Sequence, residues 1–311
     1  MWNKKVIVGI LCLGLYIGFI VGTISYVKAE GQASANVIKA PPTIVQQQIL
    51  DASFTPTGTM VPDATFYLNI SVNDVDTVGD ILNTTVTLRY LSIIAPNDPL
   101  HTYRFCYNET QALAYQIYPT TGTYLQNTVR TTFGANMVNY SFEVILNKTA
   151  IESEGIPTRW SYNLNVQDNS TNPNTTASQF FIMGPFIEFS YWGNAGGMNF
   201  NWTGEAETNQ SVSFNTLTTA NGNYDLNCSY TGSFGAPWGS PIFWIKESSK
   251  TNATLIPDVS TTPGQNSTWF TRAGGPIFWN NQTHTIALVF PAGLTIGTYT
   301  GVTIWIQARN I

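Results

Sequence analysis

Phe66-Tyr67-Leu68-Asn69-Ile70-Ser71-Val72 is the stretch that decides the fold. Apolar residues stand at Phe66, Leu68, Ile70 and Val72, with Tyr67, Asn69 and Ser71 between them. Side chains alternate across an extended chain, so a strand here buries one face and wets the other. Three more stretches obey the same rule. Thr84, Val86, Leu88 and Tyr90 oppose Asn83, Thr85, Thr87 and Arg89. Val138, Tyr140, Phe142, Val144 and Leu146 share one face, as do Trp160, Tyr162, Leu164 and Val166. Turn chemistry separates them, at Asn73-Asp74, Val78-Gly79-Asp80 and Thr121-Gly122. Helical spacing is nearly absent beyond the N-terminal segment. The pattern predicts an all-β protein of two antiparallel β-sandwiches in tandem.

The N-terminus is of another kind. Lys4 and Lys5 precede an uncharged run from Val6 to Val27. As a helix rising about 1.5 Å per residue it spans roughly 33 Å, against about 30 Å for a bilayer core. Val27-Lys28-Ala29 and Ala33-Ser34-Ala35 also offer small residues suited to signal peptidase. Residues 1–29 therefore read as a signal peptide or a transmembrane signal-anchor helix, and both place the remainder outside the cell. Residues 30–47, with Pro41-Pro42, read as a stalk or arm whose apolar residues could pair with a sheet edge. The first sandwich is expected over 48–168, a polar linker over 169–184 and the second sandwich over 185–311. Within the last, Gly-x-Pro-Ile-Phe-Trp occurs at Gly239–Trp244 and again at Gly274–Trp279, which predicts two strand entries with equivalent packing.

Asn-x-Ser/Thr sequons accompany the predicted strands. They fall at Asn69, Asn83, Asn108, Asn139, Asn147, Asn169, Asn174, Asn201, Asn209, Asn227, Asn252, Asn266 and Asn281, and none precedes Asn69. An acceptor asparagine must be exposed on an exported protein, because the glycan is bulky and strongly solvated. Asn69, Asn83 and Asn139 fall on wet strand faces by alternation, and Asn227 does so between Leu226 and Cys228. An Asn- and Thr-rich chain also makes sequons incidentally. Charge is sparse at 10% of residues, with a net charge of −5, so amides, hydroxyls and glycans must solvate the surface. No basic patch marks a nucleic-acid partner.

Candidates for chemistry are few. The two histidines, His101 and His284, read as surface residues on strand ends. No nucleophile elbow, metal-spaced Cys/His cluster or phosphate-cradling loop is present, and a non-enzyme is expected. Outside the apolar run only Cys106 and Cys228 remain, read as two buried, unpaired thiols. Asp74, Asp76 and Asp80, with Asp168 at a strand end, form the best metal candidate, for Ca²⁺. Aspartate is equally a favoured turn residue that bonds its own backbone. Trp192, Trp202 and Trp238 lie beside Gly and Asn and are the candidates for exposed, sugar-stacking rings; aromatic residues are also the usual contents of a sandwich core.

Two segments carry a resemblance. Ile70–Asp76 leading into Asn83–Tyr90 looks like the strand-turn-strand of Ig-like repeats, and Phe290–Ile304 is similar to the closing strand of secreted sandwich domains. The chain thus resembles prokaryotic, archaeal-type cell-surface glycoproteins with Ig-like β-sandwich domains. The resemblance implies surface display without a particular ligand. The expected function is that of a non-enzymatic, N-glycosylated cell-surface protein, envelope-structural or adhesive. Its expected partners are the membrane, through an uncleaved N-terminal helix, and other envelope proteins or surface glycans. Two alternatives are a carbohydrate-binding module and a filament subunit assembling by strand addition through the 30–47 arm.

Overall fold

The computed structural model describes residues 40–92, 100–153, 159–169, 175–193, 200–236, 238, 240–258, 267–295 and 297–311. The N-terminal apolar run lies outside them. Among the described residues no helix is long and apolar enough to cross a membrane. The described chain is all-β, with one 3-10 turn at Val78–Asp80.

Ten strands build the first half: β1 (Thr43–Leu50), β2 (Thr59–Met60), β3 (Thr65–Asn73), β4 (Ile81–Tyr90), β5 (Thr102–Asn108), β6 (Leu113–Tyr118), β7 (Leu125–Phe133), β8 (Met137–Ile145), β9 (Trp160–Asp168) and β10 (Thr175–Met183). They form two layers, ordered β1-β3-β8-β7 and β2-β10-β9-β4-β5-β6. The short β2–β10 pair is parallel, and the other pairings are antiparallel. The alternating residues meet between the layers: Leu68, Ile70 and Val72 with Val138, Tyr140 and Phe142 from one, Val86, Leu88, Leu164 and Val166 from the other, all buried. Each such side chain contributes about 1.5–3 kcal/mol of burial. Trp160 packs against Tyr90, Tyr103 and Phe181, with ring centroids about 6 Å apart, and its Nε1 donates to the Ile151 carbonyl at 2.9 Å.

Eight strands build the second half: β11 (Ile187–Gly193), β12 (Asn209–Ala220), β13 (Tyr224–Gly232), β14 (Ile242–Glu247), β15 (Thr254–Leu255), β16 (Ser267–Arg272), β17 (Ile277–Val289) and β18 (Val302–Asn310). Their layers are unequal, five strands in the order β11-β12-β17-β14-β15 over three in the order β16-β13-β18. Phe214, Leu226, Tyr230, Phe243, Ile245, Ile286 and Leu288 fill the space between. On the core side of β18, Val302, Ile304, Ile306 and Ala308 remain only half-buried.

One expectation about organisation needs correction. Within the expected 169–184 linker, residues 175–183 form β10, paired with β9 from Thr175↔Val166 to Phe181↔Trp160. Phe181 and Met183 drive this, because alternation sends both into the first core. The C-terminal part of the expected arm follows the second of its two readings, pairing with a sheet edge: Thr43–Gln47 lie in β1, which pairs with β3. The two halves together form one compact unit, Ala40–Ile311. Asn221 explains why. Its buried Nδ2 donates to the carbonyls of Ala150 at 3.0 Å and Gly184 at 2.9 Å, and its Oδ1 accepts the Phe186 amide at 2.6 Å. Its own carbonyl accepts from Glu152 N at 3.0 Å. Beside it, Lys148 bridges to Glu188 at 2.7 Å.

Candidate functional site

The aromatic end of the second sandwich is the most site-like feature among the described residues. The chain from Tyr299 into β18 faces Phe200 and Trp202, leaving a cleft of about 490 Å³ lined by Tyr191, Asn201, Trp202, Phe234, Tyr299 and Val302 among others. Its rings hold one another. Phe200 stacks on Trp202 at 5.7 Å, Trp202 packs on Phe243 at 5.5 Å, and the Trp202 Nε1 donates to the Ile286 carbonyl at 3.2 Å. The described residues lining the cleft supply aromatic faces, hydroxyls and an amide, with no carboxylate, imidazole or thiol. Such a surface can bind and stack, through its aromatic faces and hydroxyls.

The three tryptophans named from sequence do not form one exposed platform. Trp238 is buried, a correction. The turn at Gly235 folds it back, Trp238 N bonding the Gly235 carbonyl at 2.9 Å, and the ring sits against Phe234, Phe290 and Tyr299. Trp202 is half-buried in the core wall. The Trp192 side chain lies outside the described residues. Among the exposed rings of this half are Phe278 at 55% and Trp279 at 66%, stacked 4.8 Å apart, and Tyr191, Trp244 and Trp305. Trp279 holds φ +56, a left-handed conformation unusual for a bulky residue. The repeated hexapeptide therefore enters two strands with different packing, since Phe243 is core and Phe278 is surface.

The acidic motif closes as a turn. Asp74 Oδ1 accepts the amides of Asp76 at 3.0 Å and Thr77 at 3.4 Å, and Asp76 Oδ2 accepts the Ala40 amide at 2.8 Å. Asp80 ends the 3-10 turn, and Asp168 pairs with Ile81 at the end of β9. Among the described residues no three His, Cys, Asp or Glu side chains are gathered to hold a metal. Asp74 is nevertheless unusual, at 1% exposure with Oδ2 unbonded. Burial, then repulsion from Asp76 and Asp168, raises its pKa against the pull of the two backbone amides.

Both histidines are buried, another correction. His284 alternates onto the core face with Ile286 and Leu288. Trp269 Nε1 donates to its Nδ1 at 3.2 Å, so its Nε2 carries the proton and faces Thr216 Oγ1 at 2.9 Å. Burial lowers its pKa to about 4, partly opposed by Glu247. Glu109 forms a second polar knot, its Oε1 accepting from Arg130 Nε at 2.7 Å and from the Tyr140 hydroxyl at 2.5 Å. Cys106 and Cys228 are free and buried, as expected, and burial pushes the Cys228 thiol up to about 12.

The sequon asparagines divide by burial. Asn169, Asn201, Asn209, Asn252 and Asn281 are exposed, and Asn69, Asn83, Asn108, Asn139 and Asn147 are half-buried. Asn147 is also committed, its Nδ2 donating to Tyr124 at 2.9 Å. Asn227 is 5% exposed and accepts from Thr268 at 2.6 Å, contrary to the outward, wet position expected. It lies on the central strand of its layer, between β16 and β18, opposite Thr268 and Gln307. Asn174 and Asn266 lie outside the described residues.

No family model matches the chain, and no curated protein does. Among solved structures, it is similar to a DUF4785 family protein of Legionella pneumophila, at 6% identity and a TM-score of 0.23, over 85% of this chain and 47% of that one. The chain thus spans about half the length of that protein. The 35 kDa C-terminal fragment of the major pilin of Streptococcus agalactiae is 8% identical with a TM-score of 0.27, over 82% and 81% of the two chains. Elastase-activated alpha-2-macroglobulin of Escherichia coli is 9% identical with a TM-score of 0.24, over 89% and 22%.

Proposed function

We propose that this chain is a non-enzymatic, N-glycosylated cell-surface protein with an envelope-structural or adhesive role, exported by its N-terminal apolar run and built from two Ig-like sandwiches. The observation that carries the reading is the exposure of sequon asparagines on the second half, at Asn201, Asn209, Asn252 and Asn281, on a chain with few charges. Glycans there would supply the solvation that the side chains lack. The Asn221 joint supports a structural role, because it fixes two cores to each other instead of leaving a hinge. Glycopeptide mass spectrometry of the native protein, with immunogold labelling of cells, tests the proposal. Sugars at the exposed asparagines and none at Asn227 are the expected result. A bare polypeptide confined to the cytoplasm would end it.

Carbohydrate binding is a second reading, and a specific feature favours it. The stacked Phe278–Trp279 pair presents an exposed aromatic face where the tryptophans first considered do not. Tryptophan fluorescence titrated with soluble oligosaccharides tests this reading; a Trp279→Ala variant that responds as the native chain does would set it aside.

A further inference from the structure

The β18 edge is unlike the other sheet edges of the described chain. Strand edges expose unpaired backbone groups, and proteins blunt them with bulges, prolines, charges or brevity. The register of β1 shifts between Ile44 and Gln46, that of β7 between Leu125 and Asn127, and that of β6 opposite Arg104 and Phe105. The pairing of β16 shifts opposite Leu226 and Asn227. β2 and β15 are two residues long. β11 carries Glu188, held by Lys148, and ends in glycine. β18 has none of these guards. It pairs without interruption with β13, from Val302↔Gly232 to Asn310↔Tyr224. It contains neither proline nor glycine, and Arg309 is its one charge. No described strand is hydrogen-bonded to its other side, and β11, at the edge of the five-stranded layer, touches it without pairing. Its core-facing residues stay half-buried while Leu226, Cys228 and Tyr230 on β13 are buried.

We propose that this edge pairs antiparallel with the same edge of a second copy of the chain, about a two-fold axis at Ile306. The register follows from alternation and charge. Opposed residues in that register are Val302 and Asn310, Thr303 and Arg309, Ile304 and Ala308, Trp305 and Gln307, with Ile306 opposite itself. Every pair joins residues of the same face, as a continuous sheet requires. All nine residues of β18 are used. Each Arg309, tied to its own Asp225 at 3.3 Å, meets an uncharged Thr303, so no like charges oppose. An isologous contact of this kind closes on itself. The two three-stranded layers become one six-stranded sheet, and Ile304, Ile306 and Ala308 gain the cover that their own chain leaves incomplete. The pairing does not depend on export or glycosylation, so failure of the surface reading leaves it standing.

The test is the mass of the full chain in detergent micelles, by light scattering corrected for detergent. The expected value is twice the 34.2 kDa polypeptide. Thr303→Arg would set guanidinium against guanidinium and weaken the dimer at least tenfold. Thr303→Glu would face Arg309 and hold the dimer at least as tightly. Thr303 points outward, so both variants should melt as the native chain does, which separates lost pairing from lost folding. A Trp305→Cys/Gln307→Cys variant should oxidise to a covalent dimer, which reports the register. Three results overturn the proposal: a chain that stays monomeric to roughly 0.1 mM, a dimer indifferent to both Thr303 changes, or a monomer whose β18 amides resist hydrogen exchange, which would assign the edge to some other strand.

Discussion

The Nδ2 of Asn221 donates to the Ala150 carbonyl at 3.0 Å, tying the start of the β12–β13 turn in one sandwich to the loop after β8 in the other. With its bonds to Gly184 and Phe186, the same side chain satisfies three backbone groups at once. Asn221→Ala should leave buried groups without partners and cost about 3 kcal/mol. Asn221→Asp should do no better, since a carboxylate cannot donate to either carbonyl. Calorimetry checks this: one transition in the native chain should separate into two in the variants.

Gly222 and Gly232 should respond differently to alanine. A Cβ at Gly222 would fall 2.2 Å from Glu152 Oε2, the movable end of a side chain. A Cβ at Gly232 would meet the Gly301 carbonyl oxygen, which is backbone, and φ there is +91. Gly232→Ala should therefore destabilise by roughly 3 kcal/mol or more, and Gly222→Ala by roughly 1 kcal/mol or less. Urea midpoints compare the two directly.

His284 makes the second sandwich acid-sensitive. Its folded pKa of about 4 lies below the ordinary 6.5, so between these values the unfolded chain binds more protons. The contribution is complete above pH 6.5 and is lost as pH falls toward 4, by about 3 kcal/mol in all. Carboxylates titrate nearby in pH, so the measure is a difference. The gap in stability between the native chain and His284→Gln should shrink as pH falls through that window.

Calcium should not raise the melting temperature. Asp74 Oδ1 is held by the turn's own amides, Asp76 Oδ2 by the Ala40 amide, and no three metal-ligating side chains gather there among the described residues. Asp74→Asn should be neutral or stabilising at pH 7 by up to about 1 kcal/mol, because it removes a buried charge that faces two others. A melting temperature that climbs with added Ca²⁺ would contradict this account.

The first core was legible because its strands alternate cleanly: each apolar position named on Phe66–Val72 and Val138–Leu146 is buried. β10 was not, because Phe180-Phe181-Ile182-Met183 is apolar on both faces and follows a polar stretch. Phe180 and Ile182 are exposed, so the run gives no period. β16 is hard to read for a related reason, as Ser267–Arg272 bulges midway against β13 and so breaks its alternation. His284 could have been placed by extending the Ile286–Leu288 alternation two residues back. Trp238 could not, because its burial depends on a turn that brings distant rings together. The joint was invisible for the same reason: Asn221 reaches partners 71 and 37 residues away, and nothing local marks it.

Three residues, Gly184 to Phe186, connect β10 to β11, and this brevity has a mechanical consequence. A pull between the two sandwiches reaches the first one at Met183 and runs along β10. That strand is bonded to β9 over seven residue pairs parallel to the pull and to β2 beyond its end. The bonds are loaded in shear, all together, and none can be unzipped singly from the end. Tension must break the Asn221 cluster and then slide a whole strand, so a chain held at both ends should yield late and abruptly.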